Sequence, residues 1–170
     1  QPGDEVITTP FSFIATIEVI RLLKLVPVLV DIRPDTFNMD ENLIESVISD
    51  RTKAIIPVHL FGQCSRMETI MQIARHHKIH VIEDAAQAID SYYNDRPLGG
   101  LGHLGALSFH DTKNIISGEG GMLIINDEKF FERAEIIWEK GTNRAAFSRR
   151  EISKYGWVDI GSSFLPSEIM

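Results

Sequence analysis

Lys113 and Asp84 are the two residues whose type and placement invite a chemical reading. Lys113 lies in "SFHDTKN", Ser108 to Asn114, between the apolar stretches Ala106 to Phe109 and Met122 to Ile125, with the cluster Gly118-Glu119-Gly120-Gly121 behind it. A solvated lysine, with a pKa of about 10.4, is almost fully protonated at neutral pH. Making it a nucleophile means lowering that value by roughly 3, worth about 4–5 kcal/mol, part of which a tight and partly buried loop supplies. Asp84 follows the apolar run His80-Val81-Ile82 and so emerges at the carboxyl end of a strand, where open α/β sheets bind their ligands. Taken singly, each has an ordinary alternative: a solvated loop lysine, and a helix cap or loop acid.

Together they suggest one chemistry. Pyridoxal phosphate (PLP) forms a Schiff base with a lysine, and it withdraws electrons well only while its ring nitrogen stays protonated, which a buried carboxylate enforces. Lys113 and Asp84 are candidates for those roles. The phosphate then needs hydroxyls, backbone N–H groups or a helix N-terminus, and Ser108 is a candidate hydroxyl. Phe13, in the loop after the first apolar strand, is a candidate ring to lie on the pyridine face. Small residues after Lys113 would let the backbone pass close to cofactor and substrate.

The elements that must carry these residues are legible as a repeating pattern. Val28 to Val30, Ala54 to Ile56 and His80 to Ile82 are short apolar runs about 26 residues apart that read as strands, and Glu5 to Thr8 is an earlier strand after the Pro2-Gly3-Asp4 turn. Between them lie stretches with apolar residues at helical spacing, from Ile14 to Leu23, Leu43 to Ile48 and Met67 to Ala74. Strand alternating with helix predicts an α/β fold with a mostly parallel, mixed sheet flanked by helices, its strands covered on both faces. The two strands that bracket Lys113 are too close in sequence for a helical crossover, so they are expected to be antiparallel or joined by a compact excursion. Glu128 to Lys140 reads as a helix stopped by Gly141, and Thr142 to Pro166 as a long functional loop.

The totals set limits. A chain of 170 residues suffices for one core, which at this size buries about 70% of the unfolded surface. A net charge of -7 without a long basic run argues against nucleic acid as main partner. One cysteine, Cys64, excludes an intramolecular disulfide framework, fits a reducing compartment, and has no neighbour that would lower its pKa. With no apolar run of membrane-spanning length, the cytoplasm is the expected location. The histidines with Glu83, Asp84 and Asp111 lack His-Glu-x-x-His spacing, which disfavours a metal hydrolase, and neither glycine cluster matches a dinucleotide or P-loop fingerprint.

The stretches "GDEVITTPFSFIAT", "PVLVDIRPDTFNMD", "RTKAIIPVHLFGQ", "VIEDAAQA", "LGHLGALSFHDTKN" and "GEGGMLIIND" resemble, in order, those of the DegT/DnrJ/EryC1/StrS sugar aminotransferases. The resemblance implies the large domain of a PLP-dependent transferase of fold type I, and a homodimer with active sites between subunits. By position, Lys113 matches the Schiff-base lysine and Asp84 the partner of the pyridine nitrogen. Gln87 matches a residue beside the ring and its 3-hydroxyl, Ser108 a phosphate ligand, and Phe13 the stacking aromatic. A lysine at 113 implies transamination, because relatives that dehydrate sugars carry histidine there.

The run Gly161-Ser162-Ser163-Phe164-Leu165 departs from the Gly-Tyr-Asn-Tyr-Arg of many relatives, and Ser163 stands where their asparagine reaches the neighbouring subunit's cofactor phosphate. The stretches "AEIIWEKGTNR" and "WVDIGSS" are most similar to members that make dTDP-4-amino-4,6-dideoxygalactose from dTDP-4-oxo-6-deoxyglucose with glutamate as donor, a step of surface polysaccharide (lipopolysaccharide) synthesis. Another nucleotide-linked keto sugar, or a PLP-binding regulator without turnover, are the alternatives. The chain begins at Gln1 in a turn, and is expected to be the central part of the large domain, without the phosphate-cup segment and the small C-terminal domain. On its own it is then expected to bind PLP weakly and to turn over negligibly.

Overall fold

The structure, a computed structural model, describes residues 1–168. It forms two compact units, the first spanning Gln1–Asn126 and the second beginning at Asp127. In the first unit the elements run β1 (Glu5–Thr8), α1 (Ala15–Leu22), β2 (Val26–Leu29), β3 (Thr52–Ile55), α2 (Met67–His77), β4 (His80–Asp84), a small hairpin of β5 (Tyr92–Tyr93) and β6 (Arg96–Pro97), then β7 (Leu104–Ser108) and β8 (Gly121–Ile125). Six strands form one sheet in the order β2-β1-β3-β4-β7-β8. All neighbours are parallel except β7 and β8, which run antiparallel. The mixed, mostly parallel sheet expected from the strand–helix alternation is therefore present, and so is the antiparallel pair around the lysine loop.

Strand side chains alternate between faces, and each face has its own helix. Ile7, Ile55 and Val81 pack with Ile70, Ile73 and Ala74 of α2. Val6, Ala54, Ile56 and Ile82 point the other way and pack with Ile20 of α1. Both faces are covered at the central strands β1, β3 and β4, where each fully buried Ile or Val stabilises the fold by about 1.5–3 kcal/mol, whereas Leu29 of β2 and Met122 and Leu123 of β8 are exposed. Helix α2 ends where Lys78 takes a left-handed conformation (φ 57°) and its N–H returns to the carbonyls of Ala74 and Arg75.

One expected helix is absent. Leu43 to Ile48 forms two short 3₁₀ turns, Glu41–Leu43 and Glu45–Val47. The Asp40 carboxylate accepts the Asn42 N–H, and the Ser46 hydroxyl donates to the Leu43 carbonyl at 2.7 Å, local bonds that compete with a continuous helix. The apolar positions are still used, since Ile44 is fully buried in the core on the α2 side.

In the second unit a 3₁₀ turn at Glu128–Phe130 leads into α3 (Phe131–Trp138), and Gly141 turns the chain with φ 77°. The segment expected to be a loop also contains α4 (Arg144–Ser148), with Arg149 bonded to Glu135 at 2.6 Å and to Glu151 at 2.8 Å. No helix among the described residues is long and apolar enough to cross a membrane.

Between β6 and β7 the backbone folds tightly onto itself. A Cβ on Gly105 would stand 2.3 Å from the carbonyl oxygen of Gly99, itself at φ 91°. Neither is a flexible side-chain end, so Gly105→Ala is expected to destabilise the protein by about 1–3 kcal/mol, read as a lower urea midpoint. An unchanged midpoint would show that this backbone approach is looser than the structure has it.

Candidate active site

Adjacent acids at the end of β4 go to opposite faces, and that alternation separates their jobs. Glu83 shares the α2 side with Val81, while Asp84 shares the α1 side with Ile82. Glu83 and His59 are both wholly buried, and His59 Nε2 lies 2.7 Å from Glu83 Oε2. Because His59 Nδ1 accepts the Ser65 N–H, the imidazole donates from Nε2 to the carboxylate. Glu83 also takes the backbone N–H of Gly99 (2.8 Å), Leu101 (2.6 Å) and Gly102. Burial resists its ionisation, but the donors from His59, Gly102 and Gly99 outweigh that and hold the carboxyl below the usual range. Glu83 is thus a strut for the glycine turn before β7, with its lone pairs occupied, and has none to offer the metal reading considered from the sequence.

Asp84 is differently placed. Its backbone is fixed on both sides: the N–H bonds Pro57 O, the carbonyl takes the His59 N–H, and the next N–H, of Ala85, bonds Ala106 O on β7. Its carboxylate is only partly buried. Oδ2 takes the Thr16 hydroxyl at 2.5 Å and Oδ1 the Ala86 N–H at 3.1 Å.

The other candidates of the first unit lie at the end of β7 or in loops at this same carboxyl edge. Asp84 is in register with Ala106, so Ser108 lies two residues further along the adjacent strand, at its end. The Ser108 hydroxyl accepts the His110 N–H at 3.3 Å, which leaves its proton available to a ligand. Lys113, partly buried, is in the loop that follows; its N–H bonds His110 O, and the loop base is closed by Phe109 N to Gly120 O and Ser117 N to Phe109 O. His110 lies 2.8 Å from the Asp111 carboxylate and 3.6 Å from that of Glu119.

Phe13 lies in the bend between β1 and α1, with 71% of its surface exposed. Gln87, three residues beyond Asp84, takes the Phe61 N–H on its amide oxygen at 2.8 Å, so its NH₂ group remains to donate. Phe61 and Gly62 are consecutive left-handed residues in the loop after β3, and a Cβ on Gly62 would meet the Ser91 hydroxyl at 2.9 Å and the Gln87 carbonyl at 3.2 Å. Ser163 belongs to the second unit, where it is exposed and bridged to Glu139.

The glycines behind Lys113 have reasons of their own. Gly118 has φ 84°, a Cβ on Gly120 would meet the Ser117 hydroxyl at 2.6 Å, and one on Gly121 the Leu107 carbonyl at 2.9 Å. Local geometry thus gives Gly118 a left-handed turn and Gly121 a close backbone approach, beside the passage for a ligand that the sequence suggests. Cys64, about half buried and near the Glu83 carboxylate, has its thiol pushed up to about 11, first by burial and then by that charge, as suits an unreactive packing residue. Thr16, Glu83 and His59 carry the edge and were not singled out in these roles from sequence. The signal for Glu83 was its parity along β4; nothing local marked Thr16, whose partner is 68 residues away.

A mostly parallel sheet with helices on its faces and one antiparallel edge strand defines the class: this is the fold of the fold-type-I PLP-dependent aminotransferases. The chain belongs to the DegT/DnrJ/EryC1/StrS aminotransferase family, whose profile matches residues 1–164.

It is 49% identical to the pleiotropic regulatory protein of Geobacillus stearothermophilus, over 83% of this chain and 38% of that protein. It is 42% identical to the GDP-perosamine synthase of Caulobacter vibrioides, over 82% of this chain and 38% of that enzyme. The chain thus spans about two fifths of the length of these relatives. Among solved structures, the aminotransferase from Psychrobacter cryohalolentis superposes with a TM-score of 0.91 at 37% identity, over 98% of this chain and 43% of that one. The Spr1654 protein of Streptococcus pneumoniae in its PLP form gives 0.85 at 29% identity, over 99% and 46%. Family membership and that PLP form indicate pyridoxal phosphate as the cofactor.

Proposed function

We propose that the protein carrying this chain transfers an amino group from glutamate to a nucleotide-linked keto sugar, with dTDP-4-oxo-6-deoxyglucose as acceptor and dTDP-4-amino-4,6-dideoxygalactose as product. It would act as a cytoplasmic homodimer whose sites lie between subunits. The observation that carries the reading is the placement, at the carboxyl ends of adjacent strands, of an anchored Asp84 carboxylate and the loop of Lys113.

The residues present suit PLP, which when bound supplies an electron sink for the pair left behind as a carbon–hydrogen bond breaks. Asp84 offers an acceptor for the ring N–H. Gln87 offers a donor to the ring's 3-oxygen, because its own oxygen is already engaged. Ser108 keeps a free hydroxyl proton for the phosphate, and Phe13 an exposed ring for the pyridine face. Ser163 is proposed to complete the phosphate contacts of the neighbouring subunit. Lys113 would hold the cofactor covalently until the donor's amine displaces it, and its freed amine would then take the proton from the donor's α-carbon and, in the second half-reaction, deliver one to the carbon that receives the amino group.

The test is the protein from its complete reading frame, supplied with PLP, glutamate and dTDP-4-oxo-6-deoxyglucose. Formation of the dTDP-amino sugar is expected. The Caulobacter relative favours a second acceptor, a GDP-linked keto sugar, so amination of that substrate alone would replace the dTDP assignment and keep the reaction class. The Geobacillus relative is named a regulator, and failure to aminate any nucleotide keto sugar while binding PLP would point there.

A further inference from the structure

We infer that Thr16 is the positioning residue of Asp84: its hydroxyl sets the plane of the carboxylate that faces the cofactor ring nitrogen. The inference rests on the role proposed for Asp84 above. Thr16 stands in the first turn of α1 with only 7% of its surface exposed, yet its hydroxyl is bonded to a residue 68 positions away, at 2.5 Å. A hydroxyl has one proton to give, and Thr16 gives it to Oδ2 of Asp84.

The second carboxylate oxygen takes the Ala86 N–H at 3.1 Å, so rotation about the Cβ–Cγ bond breaks one bond or the other. Each oxygen carries one donor from the protein and keeps lone-pair capacity for a third, external donor. That remaining capacity is what a protonated ring nitrogen would use, and a hydrogen bond to a charged group is about twice as strong as a neutral one. The placement links two parts of the site as well. Phe13 lies just before α1 and Thr16 just inside it, so one helix start fixes both the exposed ring and the bond to the carboxylate. A shift of α1 would misplace them together.

The test uses the holoenzyme from the complete reading frame, loaded with PLP labelled with ¹⁵N in the ring. Thr16→Val removes the hydroxyl at nearly constant volume, Thr16→Ser keeps it, and Thr16→Ala is a second, helix-compatible deletion should the valine variant fold poorly. In the wild type and in Thr16→Ser the nitrogen signal is expected to stay that of the protonated ring from neutral to mildly alkaline pH. In Thr16→Val or Thr16→Ala it is expected to move toward the neutral ring over that range, with kcat lower by about 10–100-fold and KM for the donor little changed, the size found when a partner behind a primary ligand is lost.

Hydroxyl-free variants that match the wild type in both readouts would overturn the inference, and so would Thr16→Ser being as impaired as Thr16→Val. Asp84→Asn separates the two layers. If it too leaves the nitrogen signal unchanged, the role of Asp84 itself is wrong; if it removes protonation while the Thr16 variants do not, only the Thr16 inference fails.

Discussion

Glu83→Gln is expected to destabilise the protein by about 3 kcal/mol, the largest stability loss we expect from any single change near the site. The carboxylate accepts from four donors: His59 Nε2 and Gly99 N on one oxygen, Leu101 N and Gly102 N on the other. An amide has one acceptor oxygen, so the substitution sets an NH₂ group against two of those donors in a fully buried place. Leaving buried partners of a charged group unpaired costs about 3–5 kcal/mol, and relaxation of the glycine turn brings the expected figure to the low end. The most local readout is amide exchange: the N–H groups of Gly99, Leu101 and Gly102 should be protected in the wild type and exchange far faster in the variant. Equal protection in the two proteins would mean that the turn is held by something else.

The same carboxylate gives a pH dependence with a definite sign. Its folded value is depressed below the ordinary 4.5, so its contribution is complete above that value and is lost as pH falls through the lower, folded one. The acid limb of the stability curve should therefore be shallower in Glu83→Gln than in the wild type.

Lys113→Ala is expected to reduce amino transfer by at least about 10³–10⁴-fold, since it removes both the covalent attachment and the proton carrier, and the latter alone contributes about 10²–10⁴-fold. Lys113→Arg separates charge from chemistry: arginine keeps the positive charge but does not release its proton near neutral pH, so it should be as inactive as alanine. A small primary amine in the buffer should restore part of the activity of Lys113→Ala and none of that of Lys113→Arg. Full turnover in either variant would remove Lys113 from the chemistry.

Much of this arrangement was legible in the sequence because it follows from parity and from strand ends. Glu5 to Thr8 is a strand with the expected limits, and His80 to Asp84 extends the expected run by two residues, which places Asp84 at the carboxyl edge. The antiparallel pair around Lys113 followed from the short distance between two apolar runs. What stayed hidden depends on contacts between distant segments. Thr16 reads as an ordinary helix residue until the fold brings β4 beside α1, and His59 reads as one histidine among six until Glu83 meets it 24 residues away. Leu43 to Ile48 misled for a local reason: its apolar spacing reports burial correctly, while Asp40 and Ser46 divert the backbone from a continuous helix. For the glycines behind Lys113 the structure adds a local constraint that the sequence does not show, the left-handed turn at Gly118 and the close approach of Gly121 to Leu107.

Reductive trapping tests the proposed chemistry most directly. The protein from its complete reading frame, loaded with PLP, is treated with borohydride and digested, and the peptide bearing the fixed phosphopyridoxyl group is sequenced by mass spectrometry. The label is expected on Lys113, within "SFHDTKN", and is expected to be absent from Lys113→Ala and undiminished in Glu83→Gln protein that remains folded. A label on another lysine, or none on protein that holds PLP, would contradict the assignment of Lys113.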